Sequence, residues 1–292
     1  MHVSNGPVSF EGGLRTLAGF LTMTVAALVL SRYQLPFVPT VPIVEVDVLA
    51  LLIDLSLLGL VWWALKREGV SLNSLGISTT LVVPGVATVV GFYVALNLIA
   101  ATLALATAGT GALGYQWTVP PLQAGVVFVY VLIIAGVVEE VVFRGYLQSK
   151  LIALFGDHSR IHIGLAVLGA GTLFMLSHAP RVLSSGIPGS QSLVGYGTVL
   201  LLSGFAFGTL YELTENLTIP VLVHTAGNMP GTIGFLFVDV AALPRWATIT
   251  YLFTQVALLG LMIAVYRRWG RSQEFVPVWG RRTGTAEPQS SG

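Results

Sequence analysis

Two adjacent carboxylates and an arginine interrupt an apolar stretch near the middle of the chain. Residues 137–144 read VVEEVVFR and contain Glu139, Glu140 and Arg144. They lie in a run long enough to cross a bilayer, which requires about 20 mainly apolar residues. A charge at the bilayer centre costs about 2.5–3.5 kcal/mol on insertion scales, so three charges this close together indicate a functional or structural site.

Polar residues also interrupt later apolar stretches, and they form two further patterns. Phe174-x-x-x-His178 follows the carboxylate motif, and His224-x-x-x-Asn228 comes next. A spacing of four puts both members of a pattern on one face of a helix, about one turn apart. The sequence therefore predicts three helices that each present polar groups from one face.

The same spacing separates the roles of the two carboxylates. Glu140 and Arg144 are four residues apart and are predicted to form an ion pair along one helix face. Glu139 lies about 100° further round the helix and points elsewhere. One carboxylate can therefore be held by the arginine while its neighbour faces a cavity.

Carboxylate, histidine and amide side chains together are suited to hydrolysis. A carboxylate at low dielectric accepts a proton more readily than in water, and a nearby histidine can share a water with it and make that water a nucleophile. Donors aimed at a developing oxyanion contribute about 2.7–4 kcal/mol each. A Glu/His/His set also matches a zinc site with an open position for water, and the residues alone leave both chemistries open.

Composition defines the environment in which these residues lie. The chain has 292 residues, of which 54% are hydrophobic and 9% charged, whereas soluble domains average about 25% charged residues. This predicts a polytopic membrane protein, and the 33 glycines suit close helix–helix approach in lipid. The net charge of +1 gives no reason to expect nucleic acid, and the absence of cysteine excludes disulfides and thiolate sites.

Hydropathy predicts an all-α fold of about eight transmembrane helices in one domain, residues 1–270, with the motifs in a core at about 121–240. Residues 271–292 are polar and are predicted to form a disordered cytoplasmic tail. No internal repeat is visible. The predicted spans are about 14–30, 43–65, 83–106, a fourth starting near 121, 161–178, 194–210, 219–240 and 247–266.

Basic residues predict the orientation. With eight alternating spans, three basic residues lie on one side, Arg32, Arg181 and Arg245, against ten on the side that holds both termini. Positive residues favour the cytoplasm, so both termini are expected there, in a multi-pass protein of the cell membrane. The ten are Arg15, Lys66, Arg67, Lys150, Arg160, Arg267, Arg268, Arg271, Arg281 and Arg282.

In this order, the three motifs resemble the CAAX prenyl protease and bacteriocin-processing (CPBP, Abi) family of intramembrane endopeptidases. The resemblance covers about residues 125–229. It implies eight helices enclosing a catalytic cavity. It also implies cleavage of a peptide bond in a membrane-associated protein or peptide, often near a lipid-modified carboxy terminus. The expected partners are such a substrate, prenylated or not, and the bilayer.

The resemblance also implies a role for each motif residue. Glu139 is similar to the carboxylate that activates the attacking water, and His178 to its partner on that water. Glu140 and Arg144 complete the first motif and are either structural or assisting. The last motif, His224 and Asn228, resembles the pair that stabilises the oxyanion.

Members of this family have been described both as metalloproteases and as metal-independent glutamate proteases. We expect no cofactor, with zinc held by Glu139, His178 and His224 as the alternative. Two other functions remain open from the sequence. Intramembrane Glu, His and Arg also serve ion-coupled transporters, and a catalytically silent immunity or scaffold protein could keep the same residues.

Straight helices would place Glu139, His178 and His224 at different depths in the membrane. Glu139 lies well inside its helix, His178 comes late in a helix of opposite direction, and His224 comes early in its own. A shared site therefore requires one of two solutions. Either the fourth helix continues to about Phe155 with a strong tilt, or the true helix boundaries differ from the predicted ones.

Overall fold

The computed structural model describes residues 10, 13–31, 40–41, 46–113, 120–156, 159–187, 192–229, 238–239 and 242–270. The predicted tail, 271–292, lies outside these residues, as does most of the second half of the seventh predicted span. Within the described residues the long elements are all helices, so the predicted all-α class is confirmed. Strands Thr40–Val41 and Val46–Asp47 form one short antiparallel pair.

Ten α-helices make up the described fold. Short 3₁₀ turns at Leu72–Leu75 and Thr110–Ala112 flank α3. The helices are α1 Gly13–Leu30, α2 Val48–Glu68, α3 Thr79–Thr107, α4 Pro121–Val131, α5 Ser149–Phe155, α6 Arg160–Ser177, α7 Ala179–Ser185, α8 Leu193–Thr214, α9 Thr218–Asn228 and α10 Arg245–Val265.

Seven helical stretches in the described part of the chain are long and apolar enough to span a membrane. α9, at 11 residues, is too short to be one of them. Two hydrogen bonds of the described residues indicate a further crossing between α8 and α10. Asn216 is hydrogen-bonded to the Leu81 carbonyl at the start of α3, whereas the Asp239 N–H bonds to the Ala112 carbonyl beyond its end.

The 29 residues of α3 extend about 43 Å, so these two anchor points lie at opposite ends of a helix long enough to span a bilayer. Together with the seven long helices, this separation agrees with the predicted count of about eight crossings, with α9 at the start of the seventh. The protein is a multi-pass integral membrane protein.

The fourth crossing is a continuous helical run of 35 residues, Pro121–Phe155. It contains two π-helical segments, Leu132–Val138 and Val141–Gln148, with Glu139 and Glu140 between them. Wider π turns are frequent at functional sites. The run continues to Phe155, as the first of the two solutions offered by the sequence requires, and Glu139 lies near its middle.

The turn between α8 and α9 is fixed by a buried asparagine. The Asn216 amide donates to the Leu81 carbonyl and to the Tyr266 hydroxyl, each at 2.9 Å, and its carbonyl accepts from the Thr218 N–H at 2.9 Å. The preceding residue, Glu215, adopts a left-handed backbone with φ of 53°. These bonds attach the start of α9, which carries His224, to α3 and to Tyr266, the residue that follows α10.

Helices α6 and α8 approach each other through two glycines. A Cβ built at Gly204 would lie 2.9 Å from the Gly171 Cα and 3.0 Å from its carbonyl oxygen. Small residues allow such contact, which is typical of helix pairs in membranes. The contact holds α8 directly against α6, the helix that His178 follows.

We expect Gly204→Ala to destabilise the protein by about 1–3 kcal/mol, since the added methyl group must push two backbones apart. Thermal unfolding in detergent measures the loss. Gly197→Ala on the same helix is the matched control, because its Cβ would lie 3.8 Å from the Met175 sulfur, an ordinary contact. A Gly204→Ala protein as stable as Gly197→Ala would contradict this packing.

Candidate active site

A cavity of about 480 Å³ lies between the fourth crossing, α2, α6, α8 and α9. Four of the six predicted site residues line it: Glu139, His178, His224 and Asn228. The other two, Glu140 and Arg144, are buried, with side chains 0% and 1% exposed. The structure therefore brings the three motifs together and separates their residues into a group that meets the cavity and a pair behind it.

His224 is held between the two carboxylates. Its Nδ1 lies 2.6 Å from Oε1 of Glu140. An ionised carboxylate only accepts, so Nδ1 carries the proton of this hydrogen bond. The opposite nitrogen, Nε2, lies 3.8 Å from Oε2 of Glu139, whose side chain is 27% exposed. Adjacent residues of a helix point in directions about 100° apart, so Glu139 and Glu140 approach the His224 ring at different nitrogens.

The predicted ion pair between Glu140 and Arg144 is confirmed, with Nη1 3.0 Å from Oε1. Arg144 also donates through Nη2 to the Gly204 carbonyl at 3.2 Å. Its guanidinium lies 4.6 Å from the ring centre of Phe174 and 5.4 Å from that of Phe207. Arg144 therefore connects the fourth crossing to α6 and α8 and compensates the buried charge of Glu140.

His178 lies at the end of α6, where it is oriented by its own helix. Its Nδ1 is 2.9 Å from the Phe174 carbonyl, which can only accept, so Nδ1 is the protonated nitrogen. The opposite nitrogen, Nε2, takes no part in this bond. The rings of His178 and Phe174 also meet edge to face at 4.9 Å. Phe174 thus orients the histidine of its motif through both its backbone and its ring.

Two positioning residues were not among the sequence predictions. Phe207 stacks on the His224 ring, with centroids 4.5 Å apart and planes inclined by 26°. Gly136 lies against α9, where a Cβ would collide with the Thr225 hydroxyl and lie 3.1 Å from the Val221 carbonyl. An aromatic residue in an apolar span gives no sequence signal. A glycine in such a span is typical of close approach but does not identify the partner.

Further polar residues line the cavity away from the motifs. One of them is Asp54, an acidic residue of α2. The others are Tyr130, Arg181, Tyr196 and Ser203.

The zinc alternative requires Glu139, His178 and His224 to converge on one point. In the described part of the chain, no three His, Asp or Glu side chains are grouped closely enough to hold a metal ion. His224 has a carboxylate near each ring nitrogen, Glu140 at 2.6 Å from Nδ1 and Glu139 at 3.8 Å from Nε2. Because the three residues do not form a ligand set, we derive no step through a metal.

The fold and the cavity define a polytopic membrane protein with a polar site inside the bilayer. Residues 121–230 match the model of a family described as type II CAAX prenyl endopeptidase, Rce1-like. This confirms the family resemblance over a segment that contains all six motif residues, and at the level of the family it supports a CAAX-type intramembrane peptidase. No curated protein and no solved structure matches the chain.

We expect Arg144→Met to destabilise the protein by about 3–5 kcal/mol, because it leaves the Glu140 carboxylate buried without its partner charge. Adding Glu140→Gln in the same chain should recover part of that loss, since the uncompensated charge is then gone. Thermal unfolding of the single and double variants measures this as a double-mutant cycle.

Arg15→Met is the matched control for this cycle. Arg15 is exposed at the start of α1, and its replacement is expected to change stability by less than about 0.5 kcal/mol. An Arg144→Met protein as stable as Arg15→Met would show that the buried pair contributes nothing to the fold.

Proposed function

We propose that this protein is an intramembrane endopeptidase. It hydrolyses a peptide bond of a membrane-associated protein or peptide, prenylated substrates included, with a water activated by Glu139 and His178. The observation that carries the proposal is the convergence of Glu139, His178, His224 and Asn228 on one cavity, within the segment that matches a peptidase family.

In the first step the water oxygen bonds to the scissile carbonyl carbon while a proton passes to Glu139. Nε2 of His178 accepts the second hydrogen bond of this water and orients it, because Nδ1 is occupied by the Phe174 carbonyl. In the second step the C–N bond breaks, and Glu139 returns its proton to the leaving amine. The carboxylate thus acts first as base and then as acid, and no metal is required.

The carbonyl oxygen gains negative charge during attack, and His224 and Asn228 donate to it. Because Glu140 accepts the Nδ1 proton, His224 donates through Nε2 only as the doubly protonated imidazolium. Asn228 donates from its side-chain amide at the last residue of α9. Glu140 and Arg144 act indirectly, since they hold the His224 ring at its angle to Glu139.

The geometry favours a peptidase over the transporter alternative. Transport needs a pathway that can open to both faces, usually between two related halves of the chain. The chain has no internal repeat. Between the cavity and the face where the fourth crossing ends lies a buried layer of side chains, residues 140–150. Hydrolysis requires access from one side only.

The orientation follows from the basic residues, and with it we place the protein in the cell membrane with both termini in the cytoplasm. We call the side where α1 begins and α10 ends the basic face. Of the described Arg and Lys residues, Arg181 and Arg245 lie on the opposite face, and positive charge favours the cytoplasm. The basic face carries Arg15, Lys66, Arg67, Lys150, Arg160, Arg267 and Arg268.

Replacing the proposed base tests the mechanism. We expect Glu139→Gln to lower the cleavage rate by at least about 10²–10⁴-fold, since the amide cannot accept the proton of the water. The unfolding temperature should stay unchanged, because Glu139 meets the cavity rather than the core. The assay follows cleavage of membrane peptides by mass spectrometry. The control is Glu212→Gln on α8, which makes the same change from carboxylate to amide outside the cavity.

A Glu139→Gln protein that cleaves as fast as Glu212→Gln would exclude the proposed mechanism. The same assay with a chelator, together with metal analysis of the purified protein, tests the metal-independent route. We expect cleavage to persist. Inactivation by the chelator and recovery with zinc would instead support the zinc alternative. A fully folded chain without activity on any membrane peptide would favour the scaffold function.

Removing an oxyanion donor tests the second half of the mechanism. We expect Asn228→Ala to lower kcat about 10²–10³-fold with little change in KM, because its amide acts on charge that develops only in the transition state. Asn97→Ala on α3 is the control, an intramembrane asparagine that does not line this cavity. A change confined to KM, with kcat unaltered, would assign Asn228 to substrate binding instead.

A further inference from the structure

The cavity is lined by a residue with a permanent positive charge that the proposed mechanism does not use. Among the described residues that line the cavity, Arg181 is the only arginine or lysine. Its side chain is exposed, and it forms no ion pair with another described residue. The guanidinium is therefore available to an anion inside the cavity, although Glu139 and Asp54 make the rest of the lining acidic.

Arg181 lies one helical turn from the histidine that is proposed to orient the water. The Val182 N–H donates to the His178 carbonyl at 3.1 Å, so residues 178–182 form a turn of helix. Residues three apart in such a turn lie on the same side, with Cβ atoms about 5–6 Å apart. Both side chains accordingly line the same cavity. An anion bound by Arg181 therefore belongs to a part of the substrate close to the scissile bond.

The other side of α7 is apolar. Pro180 and Leu183 line a separate cavity of about 590 Å³, together with Phe143 and Leu147 of the fourth crossing. Arg181 lines the polar cavity and not this apolar one. The short helix thus lies between an apolar space and the polar site, and its arginine serves the polar site, where a peptide is proposed to lie.

The ligand that fits this arginine is a carboxylate. A guanidinium binds a carboxylate through two parallel N–H···O bonds, which makes the pair both strong and directional. A C-a-a-X sequence ends in a free carboxylate three residues beyond the cysteine that carries the lipid, and the matched family is described by that motif. Three extended residues span about 10 Å. A bond near that cysteine and the terminal carboxylate can therefore occupy one cavity.

We propose that Arg181 binds the C-terminal carboxylate of the substrate. The guanidinium holds this carboxylate while the scissile bond, a few residues before it, lies at Glu139 and His178. The substrate class is then a polypeptide that is cleaved close to its own free C-terminus. Arg181 sets this specificity and takes no part in proton transfer. The inference rests on the proposed function, because it requires a peptide substrate.

Two forms of one peptide test this carboxylate subsite. The peptide ends in Cys-Val-Val-Met, is farnesylated at its cysteine, and is made with either a free C-terminal carboxylate or a C-terminal amide. Cleavage by the parent chain is compared with cleavage by Arg181→Gln and Arg181→Lys. The matched control is Arg245→Gln, which replaces an exposed arginine at the start of α10, outside the cavity. Unfolding temperatures show whether each variant is folded.

We expect the amide to raise the KM of the parent chain about 10–100-fold with little change in kcat, because a charged hydrogen-bonded pair is lost in the ground state and in the transition state alike. Arg181→Gln should raise the KM for the free acid by a similar factor and cleave both forms equally. Arg181→Lys should keep part of the preference, since the charge remains but the planar fork is lost. Arg245→Gln should behave as the parent chain.

Equal KM values for acid and amide in the parent chain would overturn the inference. An undiminished preference for the acid in Arg181→Gln would overturn it too, because another group would then bind the carboxylate. Loss of the preference in Arg245→Gln as well would have the same effect, by showing that the general charge of the protein and not a subsite is responsible.

A binding measurement separates this inference from the proposed mechanism. Both forms of the peptide are made with a methylene-amine in place of the peptide bond after the cysteine, and mass spectrometry checks that they stay intact. A preference for the acid that Arg181→Gln abolishes would support the subsite even if Glu139→Gln cleaves normally and the mechanism fails. Slow cleavage by Glu139→Gln, together with equal affinity or no affinity for the two forms, would leave the peptidase standing and overturn the subsite.

Discussion

The site depends on one buried interaction, the ion pair between Glu140 and Arg144. Both charges are withdrawn from water in the middle of a bilayer, where an unpaired charge would make the helix unstable. Each is therefore satisfied by several groups: Glu140 by the arginine and by His224, and Arg144 additionally by the Gly204 carbonyl and two aromatic rings. These partners come from three other helices, so the ion pair is stable only when those helices are in place.

The glycines around the ion pair let these other helices come close enough to supply its partners. The Gly204 carbonyl can accept from Arg144 because α8 packs directly against α6 at Gly171. His224 can reach Glu140 because α9 packs directly against the fourth crossing at Gly136. Because the glycines have no side chains, the helices can approach closely at these points, and their polar groups come within hydrogen-bonding distance. The two carboxylates themselves lie between two π segments, whose wider turns are frequent at functional sites.

The arrangement of Glu139, Glu140 and Arg144 could be predicted from the sequence because it follows from helical periodicity. A spacing of four predicted the pairing of Glu140 with Arg144, and a spacing of one predicted the different direction of Glu139. Hydropathy predicted eight crossings. Because it counts only apolar residues, it could not show that α9 ends at Asn228, which lines the cavity from the end of the helix. The π segments, and the stacking of Phe207 on His224, depend on neighbouring helices and leave no local pattern in the sequence.

A peptidase inside a membrane needs water at its site but must keep the membrane sealed. Under the proposed function, the two needs are met on opposite sides of the ion pair. Towards the cavity, Glu139 and His178 are partly exposed and can share a water molecule. Towards the basic face, the buried Lys150 and Glu68 form an ion pair at 2.8 Å. The buried residues that hold His224 in place therefore belong to a packed layer, residues 140–150, between the cavity and the basic face.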